Sequence, residues 1–264
     1  MTTLAVSALS AAWPAIVDTV ERETGIDCSR FRNAIFHDRG YVPSTENTPV
    51  QNPLFMTVPG LETTPWWSPD AFGPPYRAHL GAFSTLRETL LAEFHENAHR
   101  IDFGNKAETG YYGANAGWRI FVFLDEAACE VARATRLFPE TARLLRAMRA
   151  EDLVAKCHFS VLKPGARIAV HCGAVNYELR LHYGLDVPQG DIAMTVGGET
   201  RPWRDGVASI FDDTFPHEVW NNTDQDRFIL HCRLLHPGLS AAERRATYRL
   251  NDLMNEVLDT AEAS

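Results

Sequence analysis

The stretch Glu178-Leu179-Arg180-Leu181-His182-Tyr183-Gly184-Leu185 alternates polar and apolar side chains. A period of two puts Glu178, Arg180 and His182 on one face of a strand, and Leu179, Leu181, Tyr183 and Leu185 on the other. Two readings of the polar face stay open. Either it is exposed over a leucine core, or it looks into a barrel, where three polar groups in a row need ligands or partners.

Outward from this strand the short period and its turn signals continue. Candidate strands are Cys157–Leu162, Arg167–His171, Glu178–Leu185, Ile192–Val196, Thr200–Trp203, Ala208–Phe211, His217–Trp220 and Arg227–Leu235. Lys163-Pro164-Gly165, Pro188-Gln189-Gly190, Gly197-Gly198, Asp205-Gly206 and Asn221-Asn222 mark the turns. About eight short strands at this spacing predict a sandwich or jelly roll. The front half has helical patterning instead. Leu4, Leu9, Trp13, Ile16, Val17 and Val20 share helical spacing over 3–24, closed by Gly25. A second helix is expected from about Ser84 to His99, and a third region from about Asp125 to Ala150, broken near Phe138-Pro139. Between the first two, Val42 to Pro75 reads as irregular. The expected fold is mainly β, with helices supporting a β core.

Of the 264 residues, 45% are apolar and 22% charged, as in a soluble globular protein with a sizeable core. A net charge of −9 without a basic stripe argues against a nucleic-acid partner. Five scattered cysteines with no C-x-x-C pair fit a reducing compartment. The first twenty residues lack a basic start, and no apolar run approaches the roughly 20 residues that span a bilayer. The expected location is cytoplasmic, with no membrane partner.

Within the β half, His171 follows an alternating run. His217 sits in Phe211-Asp212-Asp213-Thr214-Phe215-Pro216-His217-Glu218-Val219-Trp220, and Arg227 opens an apolar strand. Two neutral imidazoles can hold divalent iron, and a nearby guanidinium can hold a dicarboxylate. Either histidine taken alone reads first as a surface or satisfied core residue. Asp212-Asp213 reads as a ligand or base, or as a polar strand end that orients the histidine. Spacing singles out none of His158, His231 and His236, and His37, His79, His95 and His99 lie outside the β half.

Several motifs agree in order and spacing with one family. They are Ser160 with Lys163-Pro164-Gly165, His171-Cys172-Gly173, Asn176 with Leu179-Arg180-Leu181-His182, Trp203 with Asp205-Gly206, Phe211-Asp212-Asp213 through Trp220, Arg227, and His236-Pro237. This block resembles the aspartyl/asparaginyl β-hydroxylase family of iron(II)- and 2-oxoglutarate-dependent oxygenases. The resemblance implies a double-stranded β-helix, cupin-like, over an oxygenase domain at 57–248 with its β core at about 156–237. A helical or irregular extension would occupy 1–56 and a tail 249–264.

The resemblance also implies roles. His171 and His217 would bind iron, Arg180 and His182 the 1-carboxylate of 2-oxoglutarate, and Ser160 and Arg227 its 5-carboxylate. No protein residue need act as nucleophile. Gly173 stands where many oxygenases of the wider class carry a ligating carboxylate, a lack that the family shares. Glu178 replaces an arginine of the vertebrate peptide-aspartyl members. On the parity argument it faces the pocket, repelling a substrate carboxylate and welcoming an amine or hydroxyl, unless it pairs locally with Arg180. Around Phe123-Leu124-Asp125-Glu126 the polar peptide-binding stretch of those members has no counterpart. The expected reaction is hydroxylation of an amino-acid-derived small molecule or peptide natural product, with O2 consumed and 2-oxoglutarate converted to succinate. Desaturation, halogenation, lipid acyl hydroxylation and a non-catalytic jelly-roll binding module are the alternatives.

Overall fold

Alternation in the second half of the chain produces most of the strands of two antiparallel sheets, and two strands of the first half join them. In chain order they are β1 (Trp66–Trp67), β2 (Trp118–Leu124), β3 (Val154–Leu162), β4 (Arg167–His171), β5 (Glu178–Asp186), β6 (Ile192–Val196), β7 (Glu199–Arg201), β8 (Ala208–Phe211), β9 (His217–Asn221) and β10 (Arg227–Leu235). The larger sheet runs β1-β8-β5-β10-β3-β2, with Gly104–Asn105 at its outer edge, and the smaller runs β7-β6-β9-β4. From β3 onward the chain steps from one sheet to the other, apart from the β6–β7 hairpin, which is jelly-roll winding. That hairpin turns on Gly197 and Gly198, whose φ of 56° and 85° suit glycine in a two-residue turn. The computed structural model describes residues 3–37, 47–105, 117–124 and 131–262.

The larger sheet is buried on both faces, which settles how its alternation is used. Its outer face carries Leu179, Leu181, Tyr183, Phe159 and Leu230 against Leu80, Phe83, Phe94, Phe138 and Leu145. Three helices supply most of that cover: α2 (Pro74–Thr85) and α3 (Arg87–Asn97), which follow α1 (Thr3–Thr24), and then α5 (Pro139–Ala150), preceded by α4 (Ala132–Leu137). Each fully buried Leu or Phe contributes roughly 1.5–3 kcal/mol. The polar inner face is therefore left for a cavity between the sheets. At the other end α1 packs Leu9, Trp13 and Val17 against Leu250 and Met254 of α6 (Ala241–Glu262) and against Tyr177. These two helices brace the β4–β5 connection and contribute no residue to the cavity wall.

The expected strands match closely. Three elements differ. The second helix begins at Pro74 and breaks at Leu86, because Pro74 and Pro75 are tolerated in a first helical turn. Strand β2 was hidden by its nearly continuous apolar run, and one helix, α6, crosses the expected 248/249 boundary. Asp125, Glu126 and the start of the helix expected there lie outside the described residues, as do 42–46 and Cys129. Pro139 opens α5, as its position predicts.

Candidate functional site

A β-bulge aims the first histidine. His171 at the end of β4 lies opposite His217 at the start of β9, and the register shifts between there and the Val219–Ile168 pair. Strict alternation from Ile168 would turn His171 outward. The extra residue in β4 restores its phase, so Ile168 and His171 both face inward. The two rings lie 4.0 Å apart between centroids. His171 Nδ1 is 2.8 Å from the Ala169 carbonyl and His217 Nδ1 is 2.9 Å from that of Phe215. A carbonyl only accepts, so each Nδ1 carries the hydrogen and each Nε2 keeps a lone pair. Burial, then the neighbouring His217 ring, pushes His171 down to about 3, and burial pushes His217 down to about 4. Both are neutral near pH 7, the form that ligates a divalent metal.

The facing wall comes from β3, β10 and β5. Register aligns His158, His231 and His182 in one row and Lys156, Arg233 and Arg180 in the next. Adjacent rings in the histidine row are 4.3 and 4.9 Å apart. Trp203 Nε1 donates to His182 Nδ1 at 3.2 Å, so His182 carries its hydrogen on Nε2. Burial, then Arg227, holds His182 well below the usual histidine range. Trp118 Nε1 donates to Ser160 Oγ at 2.9 Å. Arg227 is 2% exposed, with its guanidinium 4.6 Å from the Trp203 ring centroid. No carboxylate meets it among the described residues, its Nε lacks a partner, and burial pushes it down to about 9. A buried cation without a counter-ion is costly, and a diacid would compensate it.

Gly173 is required by its neighbour. A Cβ there would stand 2.3 Å from the Asp213 carboxyl atoms. Asp213 thus fills, from the loop before β9, the space that a side chain at 173 would take. Its Oδ2 pairs with Arg180 at 2.8 Å and its Oδ1 is buried without a hydrogen-bond partner. Burial raises its pKa against the pull of Arg180. Among the described residues no three His, Cys, Asp or Glu converge on one metal position, and the paired rings here are those of His171 and His217. The Asp213 Oδ1 is an acceptor beside that pair. Asp212 turns away, accepting from Thr214 N at 2.9 Å and from Thr63 Oγ1 and Gln51 Nε2 at 3.2 Å, which pins the loop.

His171, His217, Ser160, Arg180, His182 and Arg227 thus line one cavity of about 110 Å³. One water needs roughly 10–15 Å³, so the cavity has room for a small diacid. Glu178 corrects an expectation. It is 2% exposed and does not line the cavity. Its carboxylate is taken by Arg180 at 3.2 Å, Arg233 at 3.6 Å and Asn251 Nδ2 at 3.2 Å, so its charge is compensated one row past Arg180 on the same strand face. The sequence reading also passed over His158, His231, Lys156, Arg233 and Trp118, which the cavity includes. Parity was the available signal: 156 and 158 share it with Ser160, and 231 and 233 with Arg227. His236 and Asn176 serve elsewhere. The His236 Nε2 donates to the Glu62 carbonyl at 2.9 Å, and the Asn176 amide pairs with both backbone groups of Val58.

Residues 83–237 match the family model described as aspartyl/asparaginyl beta-hydroxylase. The human aspartate beta-hydroxylase domain-containing protein 2 is 32% identical over 207 residues, covering 75% of this chain and 54% of that protein. The human aspartyl/asparaginyl beta-hydroxylase is 28% identical over 218 residues, 80% of this chain and 27% of that protein. The chain therefore spans about half, or less, of these relatives' lengths. Among solved structures, a Pseudomonas putida prolyl-4-hydroxylase superposes with a TM-score of 0.39 at 18% identity, over 58% of this chain and 87% of that one. Among the described residues no helix is long and apolar enough to cross a membrane. The model match spans more than half of the sequence and takes in the bulged His171, the facing His217 and the buried Arg227 alike, so the chain belongs to the aspartyl/asparaginyl β-hydroxylase family, hydroxylases that work with ferrous iron, 2-oxoglutarate and O2.

Proposed function

We propose that this chain is an Fe(II)/2-oxoglutarate-dependent dioxygenase that hydroxylates an unactivated carbon of an amino-acid-derived small molecule or peptide natural product. One observation carries the reading: two neutral histidines 4.0 Å apart share a cavity with a buried arginine that meets no carboxylate among the described residues. His171 and His217 would hold the iron through Nε2. Ser160 and Arg227 would hold the 5-carboxylate, and Arg180 with the Nε2 hydrogen of His182 the 1-carboxylate. Bound iron and 2-oxoglutarate supply the oxygen activation, with succinate and CO2 as co-products. The chain's own part is positioning. Trp118 fixes the Ser160 hydroxyl, Trp203 fixes the His182 tautomer, and Arg180 is steadied between Asp213 and Glu178.

Asp213 also bears on the outcome of the reaction. The space beside Gly173 holds its carboxylate, which repels a halide, so hydroxylation is favoured over halogenation. The test is succinate release from purified chain supplied with iron, 2-oxoglutarate and a metabolite panel. Loss of a partner to a metal-binding histidine typically costs 10–100-fold, so His171→Ala or His217→Ala should cost more than about 100-fold. Undiminished turnover in either variant would rule the assignment out.

A further inference from the structure

One polar side chain stands out in the helical brace. Asn251 lies in the middle of α6 and is 6% exposed, next to Leu250 and Met254 in the apolar seam with α1. Asparagine is a poor helix former, and a buried amide is costly unless its groups are paired. An apolar residue of the same size would serve the packing better.

Both of its partners stand at the entry to β5. The Tyr177 hydroxyl donates to Asn251 Oδ1 at 2.7 Å, and Asn251 Nδ2 donates to Glu178 Oε1 at 3.2 Å. Tyr177 thus fixes which way the amide points, with its N–H toward the carboxylate. The bonds continue inward. Glu178 Oε2 accepts from Arg180 Nη1 at 3.2 Å, and Arg180 Nη2 meets Asp213 Oδ2 at 2.8 Å. Arg233 also reaches Glu178 Oε2, at 3.6 Å. The two oxygens of Glu178 therefore divide their roles: Oε1 is tied to α6, and Oε2 to the arginines.

We propose that Asn251 is a positioning residue for 2-oxoglutarate, acting through Glu178 to set the orientation of Arg180, which receives the 1-carboxylate. The proposal rests on the Fe(II)/2-oxoglutarate reading above and deepens it. It gives α6 a part in the site although no residue of that helix lines the cavity. Without the amide, Oε1 loses its donor, and a buried carboxylate oxygen in that state draws in the nearest N–H. Arg180 then turns toward Glu178 and away from the 1-carboxylate.

The experiment titrates 2-oxoglutarate by calorimetry into chain saturated with Mn(II), whose own titration counts the folded chain. Asn251→Leu should weaken 2-oxoglutarate about 5- to 30-fold, the upper part of the range for a residue that acts on a ligand through others. Mn(II) affinity should stay near that of the wild type, because the histidine pair is held by backbone carbonyls. In a Glu178→Ala background, Asn251→Leu should add little.

Asn251→Asp gives a readout that packing alone cannot move. The introduced carboxyl keeps the Tyr177 bond and faces Glu178, so the pair holds a proton well above the usual carboxylate range. While protonated it donates to Glu178 as the amide does, and once both groups are ionised they repel. Its 2-oxoglutarate affinity should lie close to the wild type's at about pH 6 and fall below it toward about pH 8.5. Unchanged 2-oxoglutarate affinity in Asn251→Leu, or equal losses of Mn(II) and 2-oxoglutarate, overturns the positioning role. So does the same loss in the Glu178→Ala background, or an Asn251→Asp affinity that keeps one ratio to the wild type at every pH. Failure of the wild type to bind 2-oxoglutarate, or of Arg180→Gln to weaken it, overturns the underlying reading instead.

Discussion

The two walls of the cavity use histidine in opposite ways. On the smaller sheet, His171 and His217 give their Nδ1 hydrogens to backbone carbonyls two residues earlier and keep Nε2 as a lone-pair donor. On the larger sheet, His182 accepts from Trp203 at Nδ1 and keeps Nε2 as a hydrogen donor. On the proposed function, one partner atom decides between a metal ligand and a carboxylate holder. The walls also differ in charge. The smaller sheet contributes neutral rings and apolar Ile168, Met194 and Val219, while the larger contributes all four cations. On the proposed function, a metal that needs neutral bases and a diacid that needs cations would thus meet from facing surfaces.

Substitution on the cationic wall tests the comparison first. Arg227→Met removes a buried charge that no carboxylate among the described residues compensates. It should weaken 2-oxoglutarate at least about 30-fold, the lower end for losing one partner of a buried charge pair. In the same variant, the melting temperature of the ligand-free chain should rise, because similar apolar volume replaces an uncompensated ion. Calorimetry and a thermal scan check both signs, and a fall in melting temperature would mean that Arg227 has a partner in the free protein.

Gly173→Ala tests the seam between the walls. A Cβ 2.3 Å from the Asp213 carboxyl must displace that side chain and disturb its pair with Arg180. Overpacking of this kind costs roughly 1–3 kcal/mol, readable by urea unfolding. Gly173→Ala in an Asp213→Gly background should cost much less. Equal costs in both backgrounds would show that the contact does not constrain position 173.

The histidine wall is tested by pH. The ligand-free pKa values of about 3 for His171 and about 4 for His217 lie below an unfolded value of about 6.5. Between those limits the unfolded chain binds more protons, so stability rises with pH and is lost as pH falls below about 6.5. Each histidine contributes a slope of roughly 1.4 kcal/mol per pH unit near pH 5. His217→Gln should flatten the unfolding free energy against pH by about one proton's worth. An unchanged slope would mean that His217 is not buried neutral.

The sequence reading went furthest where one strand explains itself. Arg167–His171 and Glu178–Leu185 alternate, sit between turn residues and can be assigned in isolation. What it could not supply was pairing between strands. His158, His231 and Lys156 become cavity residues only once β3, β10 and β5 are in register. The bulge that turns His171 inward has no local mark in Ile168-Ala169-Val170. Glu178 has the parity of a cavity residue, yet Arg180, Arg233 and Asn251 take its carboxylate, and Asn251 lies on a helix that was not anticipated. Asp212 and Asp213 are adjacent and chemically identical. Only the loop's path gives one to Thr214 and the other to the cavity.

Dividing metal and diacid between two walls makes a crossed prediction, best read by calorimetric titration of Mn(II) and 2-oxoglutarate separately into His217→Ala and Arg227→Met. The account predicts that His217→Ala loses Mn(II) binding and Arg227→Met retains it, whereas 2-oxoglutarate affinity falls in Arg227→Met. Loss of Mn(II) in Arg227→Met, or its full retention in His217→Ala, would contradict the division.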